Sequence, residues 1–262
     1  MLVDSHCHLA DAAYDADRAQ VVERAQAAGV AGIVVVAESL ESSLKARDVA
    51  QGQPGLVATA GIHPHKASEF AAAAARVAAL LDDDATAAVG ETGLDYHYDH
   101  SPREQQRDSF AWHLAQAASR RKPVIIHSRD ADQDTARLIA DAPPGLTGVL
   151  HCFSAGPDVL DAALARGLCV SWSGMITFRN WTAEWALAQV PDEALLVETD
   201  GPYLAPIPER GKRNEPAFVR HTAARLAQLR GTTAERIAEL TTHNAANLFG
   251  ARLLAAAPSA FS

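Results

Sequence analysis

Short runs rich in valine, isoleucine and leucine alternate with helix-patterned segments along almost all of this 262-residue chain. The runs lie at Leu2-Val3, Val30 to Val36, Leu56 to Ile62, Ala87 to Glu91, Pro123 to His127, Gly148 to His151, Leu168 to Trp172 and Ala194 to Asp200. A run such as Val30 to Val36 is apolar on both faces of its pleat, the pattern of a strand in a parallel sheet covered on both sides. Between the runs, Asp15 to Ala28, Leu40 to Ala50, Ala67 to Leu81, Arg103 to Arg120, Asp132 to Asp141, Asp158 to Arg166 and Trp181 to Gln189 read as helices. Two more helices, Pro216 to Arg230 and Ala234 to Phe249, close the chain. Eight strand–helix units within about 250 residues predict an α/β fold, a single (β/α)₈ TIM barrel with an extra C-terminal helix. A doubly wound sheet competes. Against it, no glycine-rich dinucleotide turn follows the first strand, and no phosphate-cradling GxxxxGK[ST] occurs.

No linker or composition break divides the chain, so residues 1–250 are expected to form one domain, with 251–262 a disordered tail. Hydrophobic residues make up 48 %, enough for a sizeable core. The net charge of −9 excludes the ordinary mode of nonspecific nucleic-acid binding, a generally basic surface. Any polyanionic substrate must be met by a local basic patch or by bound cations. Cys7, Cys152 and Cys169 are odd in number and lack a CxxC spacing, which argues against a disulfide framework. Cys7 and Cys152 each follow a candidate histidine ligand, so strand alternation points both away from it. No signal segment precedes Asp4 and no apolar run is long enough to span a membrane, which predicts a soluble, cytoplasmic protein.

Reactive side chains cluster where the predicted strands end. His6 and His8 close the first strand and share one face of it. His63 ends the third, Glu91 the fourth, His127 the fifth, His151 the sixth and Asp200 the eighth. In a barrel these C-terminal ends meet at one face, where active sites form. Any one of them has an ordinary structural explanation, such as a core histidine bonded to backbone or a carboxylate capping a turn. A whole set at the same end of different strands does not, because packing has no need of imidazole. Neutral imidazole with carboxylate suits divalent ions such as zinc or manganese, and the carboxylates suit magnesium.

The motifs stand in a specific order. They are Asp4-Ser5-His6-Cys7-His8-Leu9, Gly61-Ile62-His63-Pro64-His65, Gly90-Glu91-Thr92-Gly93-Leu94-Asp95-Tyr96, Ile126-His127-Ser128-Arg129, His151-Cys152-Phe153-Ser154, Glu198-Thr199-Asp200 and Arg210-Gly211-Lys212-Arg213-Asn214-Glu215-Pro216. In these the chain resembles the TatD-type metal-dependent deoxyribonucleases of the amidohydrolase superfamily, over nearly its whole length to about Gly250. It departs from them at Gly201, where the family commonly has Ser, and at Ala155, where Gly is usual.

The resemblance implies two divalent ions, magnesium, manganese or zinc. His6, His8, Glu91 and Asp200 would hold one, and Glu91, His127 and His151 the other, with Glu91 bridging. It further implies Asp200 as general base, His63 on the scissile phosphate or the leaving group, and Glu198 supporting the site from behind. DNA is the implied substrate, cut from the 3′ end with a preference for single strands. His63, His65, Arg129, Arg210, Lys212 and Arg213 are the candidates for holding it. The basic triplet follows strand eight, where barrel enzymes often bind phosphate. Tyr96 and Tyr203 are candidates to stack on bases. Two other functions share these residues: hydrolysis of a small ester, amide or lactone, or of aminoacyl-tRNA, and noncatalytic binding on a retained barrel. Glu91 at the bridging position disfavours the branch that uses a carbamylated lysine. The complete ligand set disfavours a noncatalytic protein.

Overall fold

The computed structural model describes residues 1–255. Eight strands pair in chain order, all parallel: β1 (Leu2–Cys7), β2 (Val30–Val35), β3 (Leu56–Ala60), β4 (Thr86–Asp95), β5 (Val124–Arg129), β6 (Gly148–Leu150), β7 (Cys169–Trp172) and β8 (Leu195–Val197). The first and last strands meet beyond β8. Asp200 donates its amide to the His6 carbonyl at 2.9 Å, and His8 donates to the Gly201 carbonyl at 2.8 Å. The barrel therefore closes through the same segments that carry three of the expected ligands.

Helices α1 (Arg18–Ala27), α2 (Leu40–Ala50), α3 (Phe70–Leu81), α4 (Arg103–Arg120), α5 (Asp132–Asp141), α6 (Pro157–Ala165), α7 (Glu184–Leu187) and α8 (Val219–Leu229) surround it. Helix α9 (Ala234–Phe249) is the extra C-terminal one and packs on β1 and β8. Two cores result. The larger lies between sheet and helices and includes Trp172, Tyr14, Phe110 and Leu114, all buried. The smaller fills the barrel with Val3, Val34, Val57, Ile125, Val149 and Leu196, and Phe249 and Leu253 pack onto it.

Several expectations need correction. Residues 251–254 are not a loose tail: they form a short 3₁₀ helix, and Leu253 is fully buried against Gly32 of β2. Residues 256–262 lie outside the described part. The helix expected from Trp181 to Gln189 shrinks to one turn, Glu184–Leu187, because Trp181 turns inward onto Trp172 instead of facing along the helix. Strand β4 does not stop at Glu91 but continues to Asp95, paired with β5 as far as Arg129. No described helix is long and apolar enough to cross a membrane.

Candidate active site

Alternation along β1 and the turn after it turns His6 and His8 into the barrel mouth, where their Nε2 atoms lie 3.3 Å apart. Glu91 arrives from β4, with Oε2 3.3 Å from His6 Nε2 and 3.6 Å from His8 Nε2. Asp200 arrives from the turn after β8, with Oδ1 3.7 Å from His6 Nε2 and 3.5 Å from His8 Nε2. The other oxygen of Glu91 faces a second group. Its Oε1 is 2.8 Å from His151 Nε2, 3.1 Å from His127 Nδ1 and 3.4 Å from His63 Nε2. The structure thus brings together all seven strand-end residues, with Glu91 between two clusters.

Two buried carboxylates stand behind the histidines. Asp95 Oδ2 is 3.4 Å from His127 Nε2, and Glu198 Oε1 is 3.3 Å from His151 Nδ1. Glu198 is placed to take the outer N–H of His151, whereas His127 Nε2 is buried without a hydrogen bond although Asp95 stands beside it. Ser171 donates to the other oxygen of Glu198 and fixes it. Asp95 also accepts from the His97 and Tyr98 amides, both at 3.0 Å, and pairs with His65 at 2.8 Å. Asp95 went unassigned in the sequence, although 91, 93 and 95 share one face of a strand.

His63 is held differently. The His65 amide donates to its Nδ1 at 3.1 Å, so the ring proton of neutral His63 lies on Nε2. Burial keeps the ring neutral, lowering its pKa to about 4. Nε2 is then a donor, which suits contact with an anion better than metal ligation. The loop is pinned from behind by buried His113 of α4, which accepts the Ile62 amide on Nε2 at 3.2 Å and faces the Ser109 carbonyl with Nδ1 at 2.7 Å.

The electrostatics are those of a metal centre. Burial opposes charge on Glu91, yet His151, His63 and His6 outweigh it and hold the carboxyl well below its ordinary range. Burial likewise opposes charge on Asp200, and His8, His6 and His151 hold it low. Burial opposes the charged form of His8 as well. Asp200, Glu38 and Glu91 overcome it and push the ring up to about 9. Meanwhile Glu91 Oε2 and His6 Nδ1 are buried without hydrogen bonds. Against burial, Asp95 and Glu91 also raise His127, and Glu91 and Glu198 raise His151; a divalent cation can take the place of the protons these rings hold. Three groupings have donor atoms close enough to share an ion: His6, His8 and Glu91; His6, His151 and Asp200; and His63, Glu91 and His127.

These residues floor a cavity of about 710 Å³. Of the residues proposed from the sequence to hold substrate, His63, His65 and Arg129 line it. Arg210, Lys212 and Arg213 do not. Arg213 donates to both oxygens of Asp17, at 2.7 and 2.8 Å, and lies over the Tyr14 ring. Lys212 pairs with Glu209, and Arg210 lies over Phe178. The loop folds back onto α1 and the turn before it, which explains why a basic run after strand eight does not reach the site. Tyr96 also turns away, donating to Asp134 at 2.7 Å. Tyr203 does line the cavity, as does Tyr98, which no motif singles out. Cys7 is buried as expected, but Cys152 lines the cavity. Strand β6 ends at Leu150 and Cys152 sits in a left-handed turn (φ 46°), so strand alternation no longer governs it. Glu38, just past β2, is a further cavity residue.

A family model described as TatD related DNase matches residues 3–250. The chain is 36 % identical over 252 residues to an uncharacterized metal-dependent hydrolase, YabD, of Bacillus subtilis, covering 95 % of this chain and 99 % of that one. It is 37 % identical over 257 residues to a protein of Pantoea vagans named 3′-5′ ssDNA/RNA exonuclease TatD, with the same coverage. Among solved structures, the Escherichia coli TatD homolog YJJV superposes with a TM-score of 0.84 at 28 % identity, over 95 % of this chain and 97 % of that one.

Proposed function

As a member of the TatD-related DNase family and therefore a metal-dependent hydrolase, this chain acts, we propose, on single-stranded DNA, removing nucleotides from the 3′ end. The observation that carries the reading is the placement of Glu91 between two histidine-containing clusters on the floor of one open cavity. His6, His8, Glu91 and Asp200 would hold one divalent ion, and Glu91, His127 and His151 the second. Bound there, such a pair polarises a phosphoryl oxygen and lowers the pKa of water.

The chain's own groups supply the rest. Water adds to phosphorus, the bond to the 3′ oxygen of the penultimate nucleotide breaks, and that oxygen takes up a proton. Asp200 receives the proton lost by the water. Its carboxylate is ionised, and its side chain is 14 % exposed, within reach of water in the cavity. Its left-handed backbone (φ 57°) is held by amide bonds to His6 and from Tyr203, which sets its Cα at the barrel mouth beside His6 and His8. His63 offers its Nε2 proton to the phosphate or to the departing oxygen. Arg129 forms no ion pair among the described residues and is placed to meet a phosphate.

The name of the Pantoea relative supports a nucleic-acid substrate. A cavity with a single guanidinium would also admit a small ester or amide, and the products decide between the two. Incubation of the metal-supplied protein with a 5′-labelled single-stranded oligonucleotide should give a ladder shortening one nucleotide at a time. Hydrolysis of small esters alone, with the oligonucleotide intact, would overturn the proposal.

A further inference from the structure

The two walls of the cavity differ in charge. On the side of β3 to β5 stand His65, Tyr98, His100 and Arg129, and Arg129 is the cavity's one Lys or Arg among the described residues. The acids on that wall are already engaged: Asp130 pairs with His97 at 2.8 Å, and Asp95 with His65 and His127. The Arg129 guanidinium lies 4.7 Å from the Tyr98 ring centre, and Tyr98 is 50 % exposed. This wall offers a cation and an aromatic surface, the pairing that holds single strands.

The opposite wall, beyond β8, β1 and β2, carries Tyr203 and Glu38. Tyr203 is 51 % exposed, and its ring meets His8 edge-on at 6.1 Å. Its backbone is held: its amide is bonded to the Asp200 carbonyl at 2.9 Å, and its carbonyl accepts from buried Asn214 at 2.6 Å. The Glu38 carboxylate forms no hydrogen bond or ion pair among the described residues, and its backbone is fixed by the His63 amide and the Ser42 hydroxyl. Burial, followed by the charges of Glu38 and Asp11, pushes the Tyr203 phenol up to about 12. A carboxylate facing a phosphodiester cleft repels any phosphate placed against it.

We propose that the Glu38–Tyr203 wall is a pocket for the terminal nucleoside, with Tyr203 stacking on its base and Glu38 accepting from its 3′-hydroxyl, while the rest of the strand leaves over Arg129 and Tyr98. This rests on the nuclease reading and goes further: it makes Glu38 the determinant of end selection. A strand continuing past the pocket would bring a phosphate against a carboxylate that has no hydrogen-bonded partner and only His8 as a cationic neighbour among the described residues. A terminal nucleotide brings a hydroxyl, which donates to it.

The test compares cleavage of two single-stranded oligonucleotides of one sequence, ending in a 3′-hydroxyl or a 3′-phosphate. Wild type should favour the hydroxyl end in kcat/KM by about tenfold or more. Glu38→Gln should bring the ratio close to one. In wild type the ratio should also fall as salt rises, because the repulsion is screened, and this arm needs no variant. Tyr203→Ala should raise KM for a strand with a terminal base and not for one with a terminal abasic site, and Tyr203→Phe should restore the difference. Wild-type shortening of oligonucleotides with an end preference unchanged in Glu38→Gln and insensitive to salt would overturn the pocket and leave the nuclease standing. No shortening of any oligonucleotide would remove both.

Discussion

The behaviour of single residues here follows from what each nitrogen and oxygen faces. His63 and His127 both approach Glu91 Oε1, yet they differ in role because their far nitrogens differ. An amide donor on His63 Nδ1 leaves a proton pointing into the site, whereas the far nitrogen of His127 is buried without a hydrogen bond, 3.4 Å from Asp95. Asp200 is the group assigned to the water proton, so Asp200→Asn should lower kcat by roughly 10²-fold or more in steady-state assays with metal in excess. His113 makes a prediction about pH. Burial depresses its pKa to about 4, against an ordinary value near 6.5. The unfolded chain therefore binds a proton between those values that the folded chain does not. The stability from keeping His113 neutral is fully present above pH 6.5 and is lost as pH falls towards 4, about 3 kcal/mol in all. Urea unfolding at pH 7 and pH 4 should show a smaller loss in His113→Gln than in wild type.

At the scale of elements, what could be read from the sequence was where each strand ends and what it carries there. Runs such as Val30 to Val36 and the clustered strand-end histidines and carboxylates at 6, 8, 91, 127, 151 and 200 needed only the two-residue repeat of a strand and the shared polarity of a parallel barrel. What failed was whatever depends on partners distant in sequence. The basic loop could not be placed because its fate is set by Asp17 and Tyr14, nearly the length of the barrel away in sequence. The ordered 251–254 segment depends on a bare patch at Gly32 that receives Leu253. Asp95 lies beyond Glu91 and Glu38 beyond Val36, where the apolar runs stop, so the strand ends legible in the sequence reach neither. The β4–β5 pairing also explains Gly93. Its φ is +139°, and a Cβ there would meet the His127 carbonyl at 2.0 Å. Gly93→Ala must push β5 outward and carry His127 with it. The variant should lose stability by about 1–3 kcal/mol. It should also bind fewer ions per chain than wild type by elemental analysis.

For the whole molecule, closure of the barrel and construction of the site are one event. The amide bonds that join β1 to the segment after β8 run through His6, His8, Asp200 and Gly201. Tyr14 fills the space beside Gly201, where a Cβ would meet its hydroxyl at 2.6 Å, so the loop after β8 is fitted to this chain's own packing. An overall charge of −9 with one guanidinium in the cavity leaves bound cations as the chief means of meeting a phosphodiester. The central claim is therefore that two ions, held in the clusters that share Glu91, make this protein a hydrolase. It is tested by stripping the protein of metal, adding a divalent ion back in measured equivalents, and following both bound metal and oligonucleotide cleavage. The account predicts no turnover in the stripped protein and a rate that reaches its plateau only when two ions are bound per chain. Full activity in the stripped protein, or a plateau at one ion, would contradict it.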